Sequence, residues 1–386
     1  MRIAYLARRQ IPSKKAHAVQ IVKMCEAFAR LGHDVRLYAL PGETGCTFAR
    51  YGVDRVFDIV TLPKRAPSRW AKPLFLLPLL ARLRQFDADL FYGRDIVSLS
   101  LASLLGRPVV YEAHVKPELR SPRGRLLHWL FARPNFSHLV CTTSTLADAY
   151  RADYPELSGK PVVLAPNAAM PRDGRSERAS VGGWPGRADH LQVGFVGRPF
   201  RGKGIEAMAA AASLVPEADF HIVGAMADEC DWMGGEMPAN LHFHGYQPNG
   251  ALCCFYKRFD VAAAPYGAEV MNASNVESSA ITSPLKLVEY MEAGLPTIVS
   301  DLPGVRDVVG SGAFVELVEP GDHAQFADAI RRLAADPERR KRLGKAARDA
   351  YRRRHTTLAR AGAVLDAAPH HWTKRPVRSR GEALAG

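Results

Sequence analysis

Along the first 165 residues, short apolar runs alternate with longer stretches in which apolar positions recur at helical spacing. RIAYLA reads as a strand, AVQIVKMCEAFARLG as a helix closed by glycine, and DVRLYAL as the next strand. ADLFYGR, PVVYEAH, SHLVCTTS and KPVVLAPN continue the strands, with helices over IVSLSLASLLG and from about 144. The alternation restarts at 191. LQVGFVG, ADFHIVG, NLHFHG, DVAAAPY and GAFVELV read as strands, and IEAMAAAASLV, NGALCCFYKRF and HAQFADAIRRLAAD as helices. Between the halves, residues 169–190 are rich in Gly, Arg, Ser and Pro, lack periodicity and read as a linker. Residues 337–367 form a charged helical region, and the basic tail 369–386 reads as disordered. Strands and helices in this order predict an α/β chain of two Rossmann-like domains facing across a cleft. Ligands of such sheets bind beyond the carboxyl ends of the strands.

Two stretches of the second half carry candidate chemistry. In SPLKLVEYMEAGLPTIVSD, Ser283 is placed to cap a helix and Pro284 to be its first residue. Leu285, Leu287, Val288 and Met291 form an apolar face, Gly294 suits a left-handed end, and Thr297, Ile298 and Val299 a short buried strand. The helix start offers unpaired N–H groups and a positive dipole end, and Lys286 adds charge: an anion site. The second stretch, GFVGRPFRGKGIE, lies between a strand and a helix. Gly197 to Lys203 spell the first seven positions of a phosphate-binding P-loop, but Gly204 stands where Ser or Thr would hold magnesium. With no strand ending in a metal-binding Asp downstream, a nucleoside triphosphatase is disfavoured. Arg198 and Lys203 still suit a diphosphate.

Composition narrows the picture. The 386 residues, 47% hydrophobic and 9% aromatic, describe an ordinary globular chain with two to three domains' worth of core. The six cysteines (25, 46, 141, 230, 253, 254) form no CxxC pair, which predicts no disulfide framework, no zinc site and a reducing cytoplasm. MRIAYLARR is too short in its apolar part for a signal peptide, and PLFLLPLLARL too short to span a bilayer. His242 and His244 lack nearby ligand partners, so no metal is expected. The net charge of +13 is uneven: residues 1–168 hold 25 Lys+Arg against 13 Asp+Glu. A basic half calls for nucleic acid, anionic lipid or a phosphorylated substrate.

In combination and order, the strand with GxxGR and KG, then DVAAAP, then SPLKLVEYMEAGLPTIVSD resembles the donor-binding domain of retaining family-4 glycosyltransferases of the GT-B fold. IPSKKAHAVQIVKMCEAFARLGHDV resembles that family's opening loop and first helix, and VVYEAH the strand delivering its active-site histidine. VVLAPNAA resembles its PNG hinge, with Ala168 in place of glycine. The resemblance runs from residue 1 to about 360. It implies an acceptor domain over 1–168, with 345–368 a candidate to pack back on it, and a donor domain over 191–344.

The resemblance also implies roles. Arg198 and Lys203 would bind the donor diphosphate and stabilise the departing nucleotide. Gly197 and the loop Ser283, Pro284, Leu285, Lys286 would meet phosphate or sugar, Glu289 the ribose hydroxyls, and His114 the donor sugar. Ser13, Lys14 and Lys15 fall in the opening loop. The family often carries an earlier glutamate where this chain has Ile281; Glu277 could substitute only with a different loop path. The reaction implied is transfer from a UDP- or GDP-sugar to an acceptor hydroxyl with retention, the leaving phosphate taking the acceptor's proton. Neither a carboxylate pair, a bound cofactor nor a metal is then required. A role in bacterial surface polysaccharide or glycoconjugate synthesis follows, with a sugar or lipid-linked sugar acceptor. A sugar-nucleotide epimerase on the same architecture is the alternative. A nucleic-acid-binding protein is disfavoured, since aromatic residues do not interleave with the basic ones in a nucleic-acid motif.

One further expectation concerns a surface. Lys64, Arg65, Arg69, Lys72, Arg82 and Arg84 surround PLFLLPLLARL beside Trp70. LRSPRGRLLHWLFAR repeats the mixture with Arg120, Arg123, Arg125, Arg133 and Trp129. This predicts a cytoplasmic protein docked peripherally on the anionic inner face of the membrane; a core helix with a solvated charged face is the competing reading.

Overall fold

The computed structural model describes residues 1–13, 16–62, 71–171, 183–271 and 283–368. It divides into two compact units. Unit one holds Met1–Cys141, Leu146–Ala165 and the chain from Thr357; unit two holds Thr142–Thr145 and Pro166–Thr356.

Unit one is a parallel sheet. Its strands are β1 (Arg2–Ile11), β2 (Asp34–Pro41), β3 (Asp58–Thr61), β4 (Leu90–Gly93), β5 (Val109–Ala113), β6 (Phe136–Cys141) and β7 (Val162–Leu164). They lie in the order β3-β2-β1-β4-β5-β6-β7, so the direction of winding reverses between β1 and β4. The helices are α1 (Ala16–Arg30), α2 (Thr47–Tyr51), α3 (Ala71–Phe86), α4 (Ile96–Ser103), α5 (Pro122–Phe131) and α6 (Ser144–Asp153). Strands β4, β5 and β6 are buried along their whole length, as expected of a parallel sheet covered on both faces.

The edge strand β3, the short helix α2 and, in unit two, the short helix Pro303–Val309 were not apparent in the apolar pattern, and the helix α3 was read with its burial left open between two alternatives. The edge strand β3 has only half-buried or exposed residues, so it shows no hydrophobic run. The helix α3 continues through Pro78; Leu79, Leu83 and Phe86 bury one side while Arg82 and Arg84 stay exposed. Its apolar run is therefore partly a core face.

Unit two repeats the plan. Its strands are β8 (Leu191–Val196), β9 (Ala218–Val223), β10 (Leu241–Phe243), β11 (Val261–Ala264), β12 (Thr297–Ser300) and β13 (Glu316–Val318). They form a parallel sheet in the order β10-β9-β8-β11-β12-β13, with its reversal between β8 and β11. The helices are α7 (Ile205–Leu214), α8 (Leu252–Tyr256), α9 (Leu285–Ala293), α10 (Pro303–Val309), α11 (His323–Ala335) and α12 (Pro337–Ala350), the last running into a π-helical turn at Tyr351–His355. Two apolar cores cover the sheet. One is built from α7 and α11 residues such as Met208, Phe326 and Ile330, the other from α8, α9 and α10 residues such as Phe255, Tyr290 and Val305. The last helix, α13 (Thr357–Asp366), belongs to unit one, where Ala361 and Val364 join the core around α1. The compact units thus part at Ala165/Pro166 and Thr356/Thr357. Most of the linker stretch and the tail from 369 lie outside the described residues.

The start of α9 differs from expectation. Pro284 adopts φ −80° and ψ 81°, not a helical pair, and occupies the cap position itself. The helix begins one residue later, at Leu285, so Ser283 stands too far back to cap it. Its hydroxyl accepts the backbone N–H of Asn167 at 3.1 Å instead. At the other end Gly294 takes the left-handed conformation, φ 72° and ψ 30°, as its position predicts.

Candidate functional site

In unit two the two quoted stretches meet at the reversal of the sheet. The loop 197–204 leaves β8, and residues 265–271 leave β11, the neighbouring strand. Backbone hydrogen bonds stitch them together: Gly267 N–H donates to the Gly202 carbonyl at 2.9 Å and Met271 N–H to that of Arg201 at 3.0 Å. Gly202 is needed for this approach. Its φ is +72°, and a Cβ there would stand 1.7 Å from the Glu269 carbonyl oxygen. Helix α9 is tied to the same place, because the Tyr290 hydroxyl accepts the N–H of Val196, the residue before Gly197, at 2.9 Å.

The cations of this region differ in their surroundings. Lys286 donates to Glu289 Oε2 at 2.7 Å, and the Tyr256 hydroxyl donates to the same oxygen at 2.9 Å. Glu289 is buried, so its carboxylate is held by the chain's own donors. Arg198 and Lys203, in contrast, form no ion pair with a carboxylate among the described residues. The Arg198 guanidinium lies 5.6 Å from the ring centre of Phe200, and the Lys203 ammonium 5.9 Å from that of Tyr266. Burial alone pulls the Lys203 pKa down. A half-buried cation without a counter-charge, on a glycine loop beyond a strand end, is suited to a diphosphate. Gly204 begins α7 with φ 119°, leaving the helix's first N–H groups at the loop. Asn167 adds a second bond to the start of α9, from its Nδ2 to the Ser283 carbonyl at 3.4 Å. Ile281 and Glu277 lie outside the described residues, as do Lys14 and Lys15.

In unit one, His114 follows β5, beside the reversal between β1 and β4. Its Nε2 lies 2.8 Å from Glu112 Oε1. Glu112 is the residue that the sequence reading passed over. It is fully buried within β5, and the same Oε1 accepts from Arg94 at 2.8 Å and from Arg360 at 2.8 Å, while Oε2 accepts from the Tyr92 hydroxyl. Burial opposes its charge, but Arg360 and then Arg94 hold the carboxyl well below its ordinary range. His114 is pushed down to about 4, by burial first and by Arg94 second, against the pull of Glu112. Arg360 arrives from α13, which also gives its Nε to the Ala165 carbonyl at 3.2 Å. A lone glutamate inside an otherwise apolar strand was the available signal: such a group folds only with cations waiting for it. Ser13 is buried beside Tyr51, whose hydroxyl accepts its N–H at 2.6 Å.

Among the described residues no His, Cys, Asp or Glu group could hold a metal ion, and no helix is long and apolar enough to cross a membrane. His242 bonds Asp219 and His244 bonds His221.

The two units match two glycosyltransferase families. Residues 17–170 match Glycosyltransferase Family 4, and residues 185–350 match Glycosyl transferases group 1. A phosphatidyl-myo-inositol mannosyltransferase of Mycobacterium leprae is 38% identical over 92 residues, 24% of this chain and 24% of that enzyme. The chain therefore spans only about a quarter of that relative's length in the match. A D-inositol 3-phosphate glycosyltransferase of an Arthrobacter species is 22% identical over 393 residues, 90% of each chain. Among solved structures, that of Anabaena HepE in complex with UDP is similar with a TM-score of 0.66 at 16% identity, covering 95% of this chain and 99% of that one. The chain thus carries an N-terminal and a C-terminal glycosyltransferase domain on a GT-B fold.

Proposed function

We propose that the protein is a retaining glycosyltransferase that moves a sugar from a nucleotide-sugar donor to an acceptor hydroxyl. The observation that carries this reading is the pair Arg198 and Lys203, cations with no carboxylate partner among the described residues, on a glycine loop whose backbone is bonded to Gly267 and Met271 after β11. In the reaction, Arg198 and Lys203 bind the diphosphate and stabilise the negative charge that develops as the nucleotide leaves. The N–H groups at Ser283–Lys286 meet phosphate or sugar, and Glu289 accepts the ribose hydroxyls. His114 faces the donor sugar, and the leaving phosphate removes the acceptor's proton, so the anomeric configuration is retained. Arg198 and Lys203 do the work a divalent cation does elsewhere. The donor is a UDP- or GDP-sugar; UDP is what the HepE structure holds. The decisive experiment is a thermal-shift panel of sugar nucleotides followed by donor hydrolysis with and without EDTA. Stabilisation by one nucleotide class and metal-independent hydrolysis support the reading, and no response to any sugar nucleotide refutes it.

The acceptor proposed is a sugar or lipid-linked sugar presented at a membrane surface, in polysaccharide or glycoconjugate synthesis. In unit one α4 packs between α3 and α5. Around it Arg82, Arg84, Arg123 and Arg125 are exposed, as are Leu77, Leu104 and Trp129. Arg133 stacks on Trp129 at 5.2 Å. Leu127, Leu130 and Phe131 of α5 are core, so docking would use this exposed set alone. Lys64, Arg65, Arg69 and Trp70 lie outside the described residues, as does the side chain of Lys72. Liposome co-sedimentation tests it: binding should need anionic lipid, fall with salt and weaken when the four arginines become serine. Equal pelleting with neutral vesicles would leave a soluble acceptor.

A further inference from the structure

We propose that Glu112 is a positioning residue: it keeps the ring proton of His114 on Nε2 and so presents Nδ1 as a hydrogen-bond acceptor to the substrate. The inference rests on the reading of His114 as a substrate-facing group, and it deepens that reading by naming the chemistry His114 offers.

Glu112 is fully buried, and four donors converge on it: Arg94, Arg360, His114 and the Tyr92 hydroxyl. With two guanidinium groups against it the carboxyl is ionised at neutral pH, and an ionised carboxylate only accepts. The nitrogen 2.8 Å away must therefore carry the hydrogen. Turning the ring over would place a carbon at that distance from the oxygen and forfeit the bond. His114 holds one ring proton at neutral pH, since burial and the neighbouring Arg94 disfavour a second. With that proton on Nε2, Nδ1 has a bare lone pair. No bond to Nδ1 is formed among the described residues, and the side chain is 30% exposed, so the ring has one edge fixed and one open.

The consequence is selective. A neutral ring whose open nitrogen only accepts favours a substrate hydroxyl, which donates, over a fluorine or a hydrogen at the same carbon. It would also not serve as a general acid. Burial decides this outcome first and Arg94 second, and a protonated imidazole would add a third positive charge beside Arg94 and Arg360.

The test is long-range proton–nitrogen NMR on the full chain labelled at histidine, with His114 assigned by the signal lost in His114→Gln. At pH 7 the wild type should show a protonated-type Nε2 and an unprotonated-type Nδ1. A protonated Nδ1 overturns the proposal whatever the activity. In Glu112→Gln, whose amide both donates and accepts, the two tautomers should mix. Its kcat should drop roughly tenfold, the size of one ordinary hydrogen bond, with a smaller preference for donor over deoxyfluoro donor. Unchanged tautomer and unchanged kcat overturn the proposal too. Should Glu112→Gln fail to fold, the wild-type spectrum alone still decides. Failure of the underlying reading looks different: His114→Gln would then keep full activity while the Nε2–H signal remains in the wild type.

Discussion

Replacing Lys203 by methionine should separate function from stability. The ammonium is half-buried in the glycine loop, has no carboxylate partner among the described residues, and has only the ring of Tyr266 nearby at 5.9 Å. Burial lowers its pKa, so the folded chain holds the charged form less readily than the unfolded chain does. The sign follows. Below the folded pKa the charge disfavours folding in full. The penalty fades as pH rises toward the unfolded value near about 10.4. At pH 7, therefore, Lys203→Met should leave unit two as stable as before or more stable by up to about 1 kcal/mol. Turnover should behave in the opposite way. One preorganised donor aimed at developing charge is worth about 3 to 4 kcal/mol, so kcat should fall roughly 100- to 1,000-fold. Free-nucleotide release measures the second quantity, and hydrogen exchange at the β8 and β11 amides in mild urea the first. A variant that loses more than about 1 kcal/mol yet turns over within threefold of the wild type would refute the reasoning. Lys203 would then be a packing residue.

Three further outcomes follow from the same geometry. Glu289→Gln should weaken binding of the free nucleotide by about 1.5 to 3 kcal/mol, read by calorimetry, because the charged acceptor held by Tyr256 and Lys286 is lost; unchanged affinity makes Glu289 structural. Gly202→Ala should displace the loop, since its left-handed φ and the Glu269 carbonyl both oppose a Cβ; a variant with unaltered donor binding would show the stitched loop to be dispensable. Arg360→Met should destabilise unit one by about 3 to 5 kcal/mol, seen as faster exchange of β5 amides, by leaving buried Glu112 with one guanidinium fewer. Because the Glu112 carboxyl titrates well below its ordinary value, its contribution is present above about pH 4.3 and is lost as pH falls through the folded pKa. The defect should therefore shrink in acid.

The alternation of strands and helices was legible because both sheets are parallel and buried, so each central strand is a mostly apolar run. What stayed hidden had local reasons. β3 is an edge strand with little to bury, and the half-buried face of α3 is interrupted by Pro78, which hides its period. The cap at Ser283 was misplaced by one residue because Pro284 tolerates both the first helical position and the extended one. In the fold the Ser283 hydroxyl is taken up by Asn167, far away in the chain, and Pro284 itself takes the cap position of the helix. Glu112 was hidden for the same kind of reason: its partners Arg94 and Arg360 lie on separate elements, one of them 248 residues away.

The cations show the limit of a charge reading most clearly. In the sequence Arg198, Lys203 and Lys286 were equivalent positive groups near glycine or a helix start. Folding makes them unequal. Lys286 is three residues before Glu289 on one helix face, so its charge is met inside the chain at 2.7 Å and is largely compensated before any anion arrives. Arg198 and Lys203 lie on a loop that contains no acidic residue between Gly197 and Gly204, and its backbone is occupied by the segment after β11. Their charge has no internal answer among the described residues. An anion entering this loop therefore displaces no carboxylate among the described residues. The loop geometry, which follows from Gly202 and Gly204, thus leaves Arg198 and Lys203, rather than Lys286, for the diphosphate of the proposed donor.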